Sequence, residues 1–156
     1  MAKDSRSTAP SAGVNATAPS TVPVSQVSSR SSVCVLLVED DHVLCTVSAD
    51  TLNDLGYRAI RTSNGTEALA ALERDCDIKV LMTDIGLPGI DGQQLAAEAR
   101  RRRPDLGVLF VTGYDHLIKE GQLVREQGFE YLAKPYGYED LAKALKQLVG
   151  FRSSTC

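Results

Sequence analysis

The feature that most constrains this chain is a rhythm. A short strand-like run is followed by a stretch of helical periodicity, and the pair recurs five times. The runs are VCVLLV (33–38), YRAIRT (57–62), KVLMTD (79–84), GVLFVT (107–112) and EYLAKP (130–135). The first of these runs is unbroken and apolar with β-branched members, which is typical of a strand buried on both faces, because a strand wetted on one face alternates instead. The stretches between them read as helices. The first covers 42–55, with Leu44, Ser48, Thr51, Leu52 and Leu55 on one face and Gly56 as its stop. A second is capped near Asn64 and carries the apolar face of EALAALE, and a third covers 92–103 and ends before Pro104. A weaker helix is expected near 116–127, and a last one carries Leu141, Leu145 and Leu148. Alternation with short links predicts a parallel sheet covered by helices on both faces. Right-handed crossovers then make a doubly wound, three-layer α/β fold, which takes its ligands at the carboxyl ends of the strands.

The 156 residues suit one ordinary domain and a tail. Residues 1–32 are rich in Ser, Thr, Ala and Pro and lack any aromatic side chain, so they read as a disordered N-terminal tail. The folded domain is expected over 33–151, with a short C-terminal tail at 152–156. A net charge of −3 argues against a phosphate-seeking surface, and no nucleic-acid partner is expected. Cys34, Cys45, Cys76 and Cys156 contain no CxxC pair, and His42 and His116 do not stand at zinc-ligand intervals from them. A reducing compartment fits better than a disulfide framework. No run approaches the roughly 18 apolar residues of a membrane span, and no signal-peptide core is present. A cytoplasmic protein without membrane attachment is expected.

Polar residues collect at the strand ends. The first strand ends on Glu39, Asp40 and Asp41, the third on Asp84, the fourth on Thr112 and the fifth near Lys134. On one parallel sheet these ends share a rim, so carboxylates, a hydroxyl and an ammonium are expected in one shallow pocket. Crowded carboxylates require a proton or a cation among them. Oxygen ligands without nearby His or Cys favour a hard ion, and Mg²⁺ is the biological default. Lys134 adds a compact positive charge and Thr112 a hydroxyl donor. Such an assembly suits phosphoryl transfer to an aspartate, a known covalent nucleophile.

These residues bear a family resemblance. Residues 33–151 resemble the receiver domains of two-component response regulators, the CheY-like fold. The resemblance rests on LLVEDD, TDIGLPGIDG, FVTGY and YLAKP, in order and at the ends of the right strands. It implies a five-stranded parallel sheet in the order 2-1-3-4-5. It also implies Asp84 as phosphoacceptor and Glu39, Asp40, Asp84 and the Gly86 carbonyl as Mg²⁺ ligands. Lys134 would pair with the phosphoryl group and precede a cis peptide to Pro135. Thr112 would be the switch hydroxyl, with Gly113 leaving space beside it, and Tyr131 the aromatic rotamer switch. Asp41 falls at the start of the first helix as its N-cap. Gly86 and Tyr114 occupy positions that differ from many members and should alter how water reaches the phosphoryl group.

The expected function is a phosphoacceptor receiver in a phosphorelay. It would take its phosphoryl group from a histidine kinase or histidine phosphotransfer protein and signal by a conformational switch, without an output domain of its own. It would be no enzyme beyond phosphorylating and slowly dephosphorylating itself. Its downstream partner would be a protein, met through the face of the fourth helix, fifth strand and fifth helix, and the chain would be a monomer or a phosphorylation-linked dimer. A C-terminal receiver cut from a hybrid histidine kinase shares the chemistry, and a phosphorylation-independent pseudo-receiver is a further alternative. An aspartate phosphatase of the haloacid-dehalogenase type needs a second acid two residues after its nucleophile, where Gly86 stands here. Arg100 to Arg103 read as a solvated last turn whose cations favour the helix dipole. His42 reads as a surface or capping residue.

Overall fold

The computed structural model describes residues 32–113 and 127–154, with side chains through residue 150. The N-terminal tail, the helix expected near 116–127, Tyr114, His116 and Cys156 lie outside the described residues. In chain order the elements are β1 (Cys34–Val38), α1 (His42–Asp54), β2 (Arg58–Thr62), α2 (Gly65–Arg74) and β3 (Ile78–Asp84). Then come α3 (Gly92–Arg102), β4 (Gly107–Thr112), β5 (Phe129–Ala133) and α4 (Tyr138–Ser154). The strands form one parallel sheet in the order β2-β1-β3-β4-β5. This is the topology that the resemblance implies. The last helix runs through the boundary expected at 151.

Side-chain alternation divides the core into two layers. Leu36, Val38, Leu81, Val108 and Phe110 face α2 and α3, where Ala68, Leu72, Leu95, Ala96 and Ala99 meet them. Val35, Leu37, Val80, Met82, Leu109 and Val111 face α1 and α4, against Cys45, Ala49, Leu52, Leu141, Leu145 and Leu148. The continuous apolar runs of β1, β3 and β4 follow directly, since successive residues serve opposite layers and both must be apolar. On α1 the buried stripe is Cys45, Ala49 and Leu52, not the Leu44, Ser48, Thr51, Leu52 and Leu55 face that the sequence suggests. Small residues at 45 and 49 let the helix lie close to the sheet. That rotation leaves Leu44 exposed and Ser48 half-buried.

Caps fix the helix starts. Asp41 accepts from the Val43 and Leu44 amides at 2.9 and 3.0 Å, as expected of an N-cap. Asn64 accepts from the Glu67 amide at 2.9 Å. Asp91 and Gln94 form a reciprocal capping box at the start of α3. Gly56 follows α1 at φ +95°, a left-handed conformation that glycine adopts without steric penalty.

Candidate functional site

The same alternation decides which rim residues meet. Val35 and Leu37 on β1, and Val80 and Met82 on β3, point into the α1/α4 layer. A period of two carries Glu39 and Asp84 to that face. Leu132 packs in this layer too, so Lys134 arrives on it from β5. The three side chains are joined: the Lys134 ammonium donates to Asp84 Oδ2 at 2.6 Å and to Glu39 Oε2 at 3.2 Å. The Lys134–Pro135 peptide is cis. The opposite parity takes Val108, Phe110, Phe129 and Tyr131 toward α2 and α3. Thr112 shares the parity of Phe110. Phe110 and Tyr131 are register partners and stack with centroids 5.0 Å apart and planes 17° apart. The Lys134–Asp84–Glu39 contacts and the Phe110–Tyr131 stack therefore lie on opposite faces of the sheet.

Backbone bonds sew the strand ends together. The Glu39 amide donates to the Thr62 carbonyl, Ile85 to Val111, and Lys134 to Thr112, at 3.1, 3.1 and 2.8 Å. Thr112 is buried and lies one position beyond Val111, the register partner of Asp84. The Asp84 carboxylate is held at both oxygens, since the Gly86 amide donates to Oδ1 at 2.9 Å. Glu39 is only 7% exposed. Burial pushes its pKa up, against the opposing pull of the Asp41 amide and Lys134. Burial also works against the Lys134 ammonium, but the hydrogen bond and charge of Asp84, followed by Glu39, hold its pKa above the ordinary lysine value.

The structure does not gather all the expected acids. Asp40 is exposed on the rim and Asp41 is spent on the α1 cap. Among the described residues no three Asp, Glu, His or Cys side chains are grouped closely enough to hold a metal. The donor chemistry nevertheless fits a hard cation. Glu39, Asp40 and Asp84 present carboxylate oxygens with one ammonium among them, a formal surplus of two negative charges. Gly86 is exposed beside them.

The arginine run is solvated only in part: Arg101 and Arg102 are exposed in the last turn of α3, as expected, whereas Arg100 and Arg103 are half-buried. Arg103 donates to the carbonyls of Leu72, Asp75 and Cys76 at 3.2, 3.0 and 2.9 Å, and also to that of Ile78. Arg101 and Arg102 both pair with Glu98, Arg102 also with Glu73, and the Arg100 guanidinium lies over the Phe129 ring. The acceptors of Arg103 lie 25 to 31 residues away and leave no local pattern to read. Cys34 and Cys45 are buried free thiols whose pKa values burial raises. His42 is exposed at the first position of α1. Among the described residues no helix is long and apolar enough to cross a membrane.

Beside the rim runs a groove of about 610 Å³, lined by Glu39, Leu44, Val47, Ser48, Lys134 and Tyr136 among others. Of its lining, Leu44, Val47 and Tyr138 stand 44%, 57% and 53% exposed.

The sequence and the fold are similar to those of known proteins. The profile of the response regulator receiver domain matches residues 35–146. The response regulator FleR of Pseudomonas aeruginosa is 36% identical over 115 residues, covering 74% of this chain and 23% of that protein. The sensor kinase CckA of Brucella abortus is 30% identical over 119 residues, covering 76% of this chain and 13% of that protein. The chain thus spans less than a quarter of the length of these curated relatives. A response regulator receiver protein from Sinorhizobium medicae superimposes with a TM-score of 0.69 at 29% identity, covering 78% of this chain and 97% of that one. The receiver domain of a hybrid histidine kinase CckA does so with a TM-score of 0.61 at 33% identity, covering 74% and 98%.

Proposed function

The chain belongs to the response regulator receiver domain family of two-component signalling, and from that premise we propose that Asp84 accepts a phosphoryl group from a protein phosphohistidine. The observation that carries this reading is the Lys134 ammonium set between Asp84 and Glu39. A half-buried lysine at a carboxylate pair is a positive charge placed where phosphoryl oxygens would arrive. In the proposed step an Asp84 oxygen attacks phosphorus, the bond to the donor imidazole nitrogen breaks, and the imidazole leaves with that electron pair. Lys134 turns from the carboxylate pair to the transferred group, and the Thr112 hydroxyl donates to one of its oxygens.

Glu39, Asp40, Asp84 and the Gly86 carbonyl would hold Mg²⁺. When bound, the ion supplies the neutralising charge that lets an anionic donor approach three acids. The departure of Thr112 toward the phosphoryl group would open space along β4 for Tyr131, which now stacks on Phe110. The exposed apolar side chains beside Lys134 support a protein donor, since a small acyl phosphate needs no such surface. The downstream face that the resemblance implies includes the helix expected near 116–127, outside the described residues. A receiver carried within a hybrid kinase is a second reading, supported by the likeness to CckA.

Intact-protein mass after incubation with acetyl phosphate tests the reading. One added phosphoryl group, dependent on Mg²⁺ and absent from Asp84→Asn, is expected. No addition in any condition would leave a binding module that works without phosphorylation.

A further inference from the structure

We infer that Gly92 is a positioning residue for Asp84: the missing side chain at the start of α3 lets that helix rest against the Asp84 backbone and hold the carboxylate in register with Lys134. The inference rests on the phosphoacceptor reading above. A Cβ built on Gly92 would stand 2.3 Å from the Asp84 carbonyl oxygen, 2.8 Å from Ile85 Cα and 3.0 Å from the Asp84 carbonyl carbon. Gly92 is not among the residues at positive φ, unlike Gly56, Gly89 and Gly128. Its backbone conformation is therefore open to any residue, and only the space is not. The atoms in the way are backbone, which cannot swing aside as a side-chain tip can.

Neither side of this contact is free to retreat. Asp84 is paired with Val111 in the sheet, and the next amide, Ile85, donates to the Val111 carbonyl. On the helix side Leu95, Ala96 and Ala99 are fully buried, and the Asp91–Gln94 box fixes the first turn. The Gly92 amide closes the intervening loop by donating to the Ile85 carbonyl at 2.9 Å. Leu87 is buried in the core beneath that loop. The loop also carries Gly86, whose amide holds Asp84 Oδ1. Any adjustment to a methyl group at 92 thus reaches the carboxylate through the Asp84 backbone, through the Gly86 bond, or through both.

The size of the adjustment decides the matter. Cβ atoms essentially never approach closer than 3.0 Å, so the 2.3 Å contact must open by at least about 0.7 Å. A catalytic constellation tolerates displacement of only about 0.5 Å, and an error near 1 Å costs about a hundredfold. Gly92→Ala should therefore lower the maximal rate of phosphoryl acceptance by roughly tenfold or more.

Gly65 supplies the control. It too is the first residue of a helix, but a Cβ there would meet only the flexible Ile90 side chain, at 3.4 Å. Alanine favours a helix over glycine at either position, so a propensity effect would act alike on both. The measurement is the rate of mass addition from acetyl phosphate with Mg²⁺, over a range of donor concentrations, for the wild type, Gly65→Ala and Gly92→Ala. Circular dichroism confirms the fold of each. The expected result is a wild-type rate in Gly65→Ala and a maximal rate at least tenfold lower in folded Gly92→Ala, with the half-saturating donor concentration little changed. A wild-type rate in folded Gly92→Ala overturns the inference, and so does an equal loss in Gly65→Ala. Should Gly92→Ala be unstable at room temperature, the comparison is made at low temperature with the rate taken per folded molecule, and a wild-type rate per folded Gly92→Ala chain still overturns the inference. A wild-type chain that never labels instead defeats the phosphoacceptor reading itself.

Discussion

Two cations sit at opposite ends of the central sheet, and they are held in opposite ways. At the carboxyl end, the Lys134 ammonium contacts two side-chain carboxylates, at 2.6 and 3.2 Å. At the amino end, the Arg103 guanidinium is surrounded by four backbone carbonyls from the end of α2, the loop after it and the first residue of β3. Carbonyls cannot change charge or accept a covalent group, and a planar fork of donors satisfies several at once. Carboxylates can do both, and a flexible ammonium can follow when they change. The arginine end is built to stay as it is, whereas the lysine end is built to be rearranged.

Substitutions separate the two ends. The largest effect is expected from Lys134→Ala. Removing the charge should lower the acceptance rate about 10² to 10³-fold, as loss of a preorganised electrostatic contact does, while residual labelling and the fold remain. Stopped-time mass measurement with acetyl phosphate checks it, and a rate within threefold of wild type would count against Lys134 as the phosphoryl partner.

At the other end, Arg103→Ala leaves part-buried carbonyls without their donor. It should cost about 2–4 kcal/mol of unfolding free energy by the usual range for a broken hydrogen-bond network. Denaturant unfolding measures the loss, and labelling per folded molecule should not change. Arg103→Lys should recover only a small part of that stability, because one ammonium cannot span four carbonyls. Full recovery would show that charge alone suffices there.

Asp91→Ala should have a smaller effect. It removes the capping box of α3 and should cost about 1 kcal/mol, read from the same unfolding curves. The smallest effect belongs to Glu98, which Arg101 and Arg102 hold at a pKa of about 2, below its ordinary 4.5. Its folded-state pKa is depressed, so its contribution is present above about pH 4.5 and fades as pH falls toward 2. Arg101 is exposed and Glu98 half-exposed, so added salt should weaken the pair. Glu98→Gln should flatten the acid arm of the stability curve across that window, and an unchanged arm would mean that the pair contributes nothing.

The layers were legible in the sequence because local pattern and tertiary demand coincide in them. Each residue of VCVLLV serves one layer or the other, so the run has to be apolar throughout, and Asp41, Asn64 and Gly56 mark helix limits by local chemistry. The joining of Asp84 to Lys134 followed from topology, once five strand ends shared a rim. The α1 face was misread because Ala49 and Cys45 are small, and periodicity alone weights Leu44 more heavily than either. The sequence puts Glu39 and Asp40 together as one acidic pair, and adjacency gives no sign that the first is buried and the second exposed. Arg103 was unreadable because all its acceptors are main-chain atoms, which carry no residue identity.

The most direct test is to locate the phosphoryl group among the three rim acids. Brief treatment of the acetyl-phosphate-labelled chain with borohydride reduces an aspartyl phosphate to homoserine, and tandem mass spectrometry of the peptides finds its position. The result predicted is homoserine at 84, with Glu39 and Asp40 unreduced. Reduction at 39 or 40 with Asp84 intact would contradict the account.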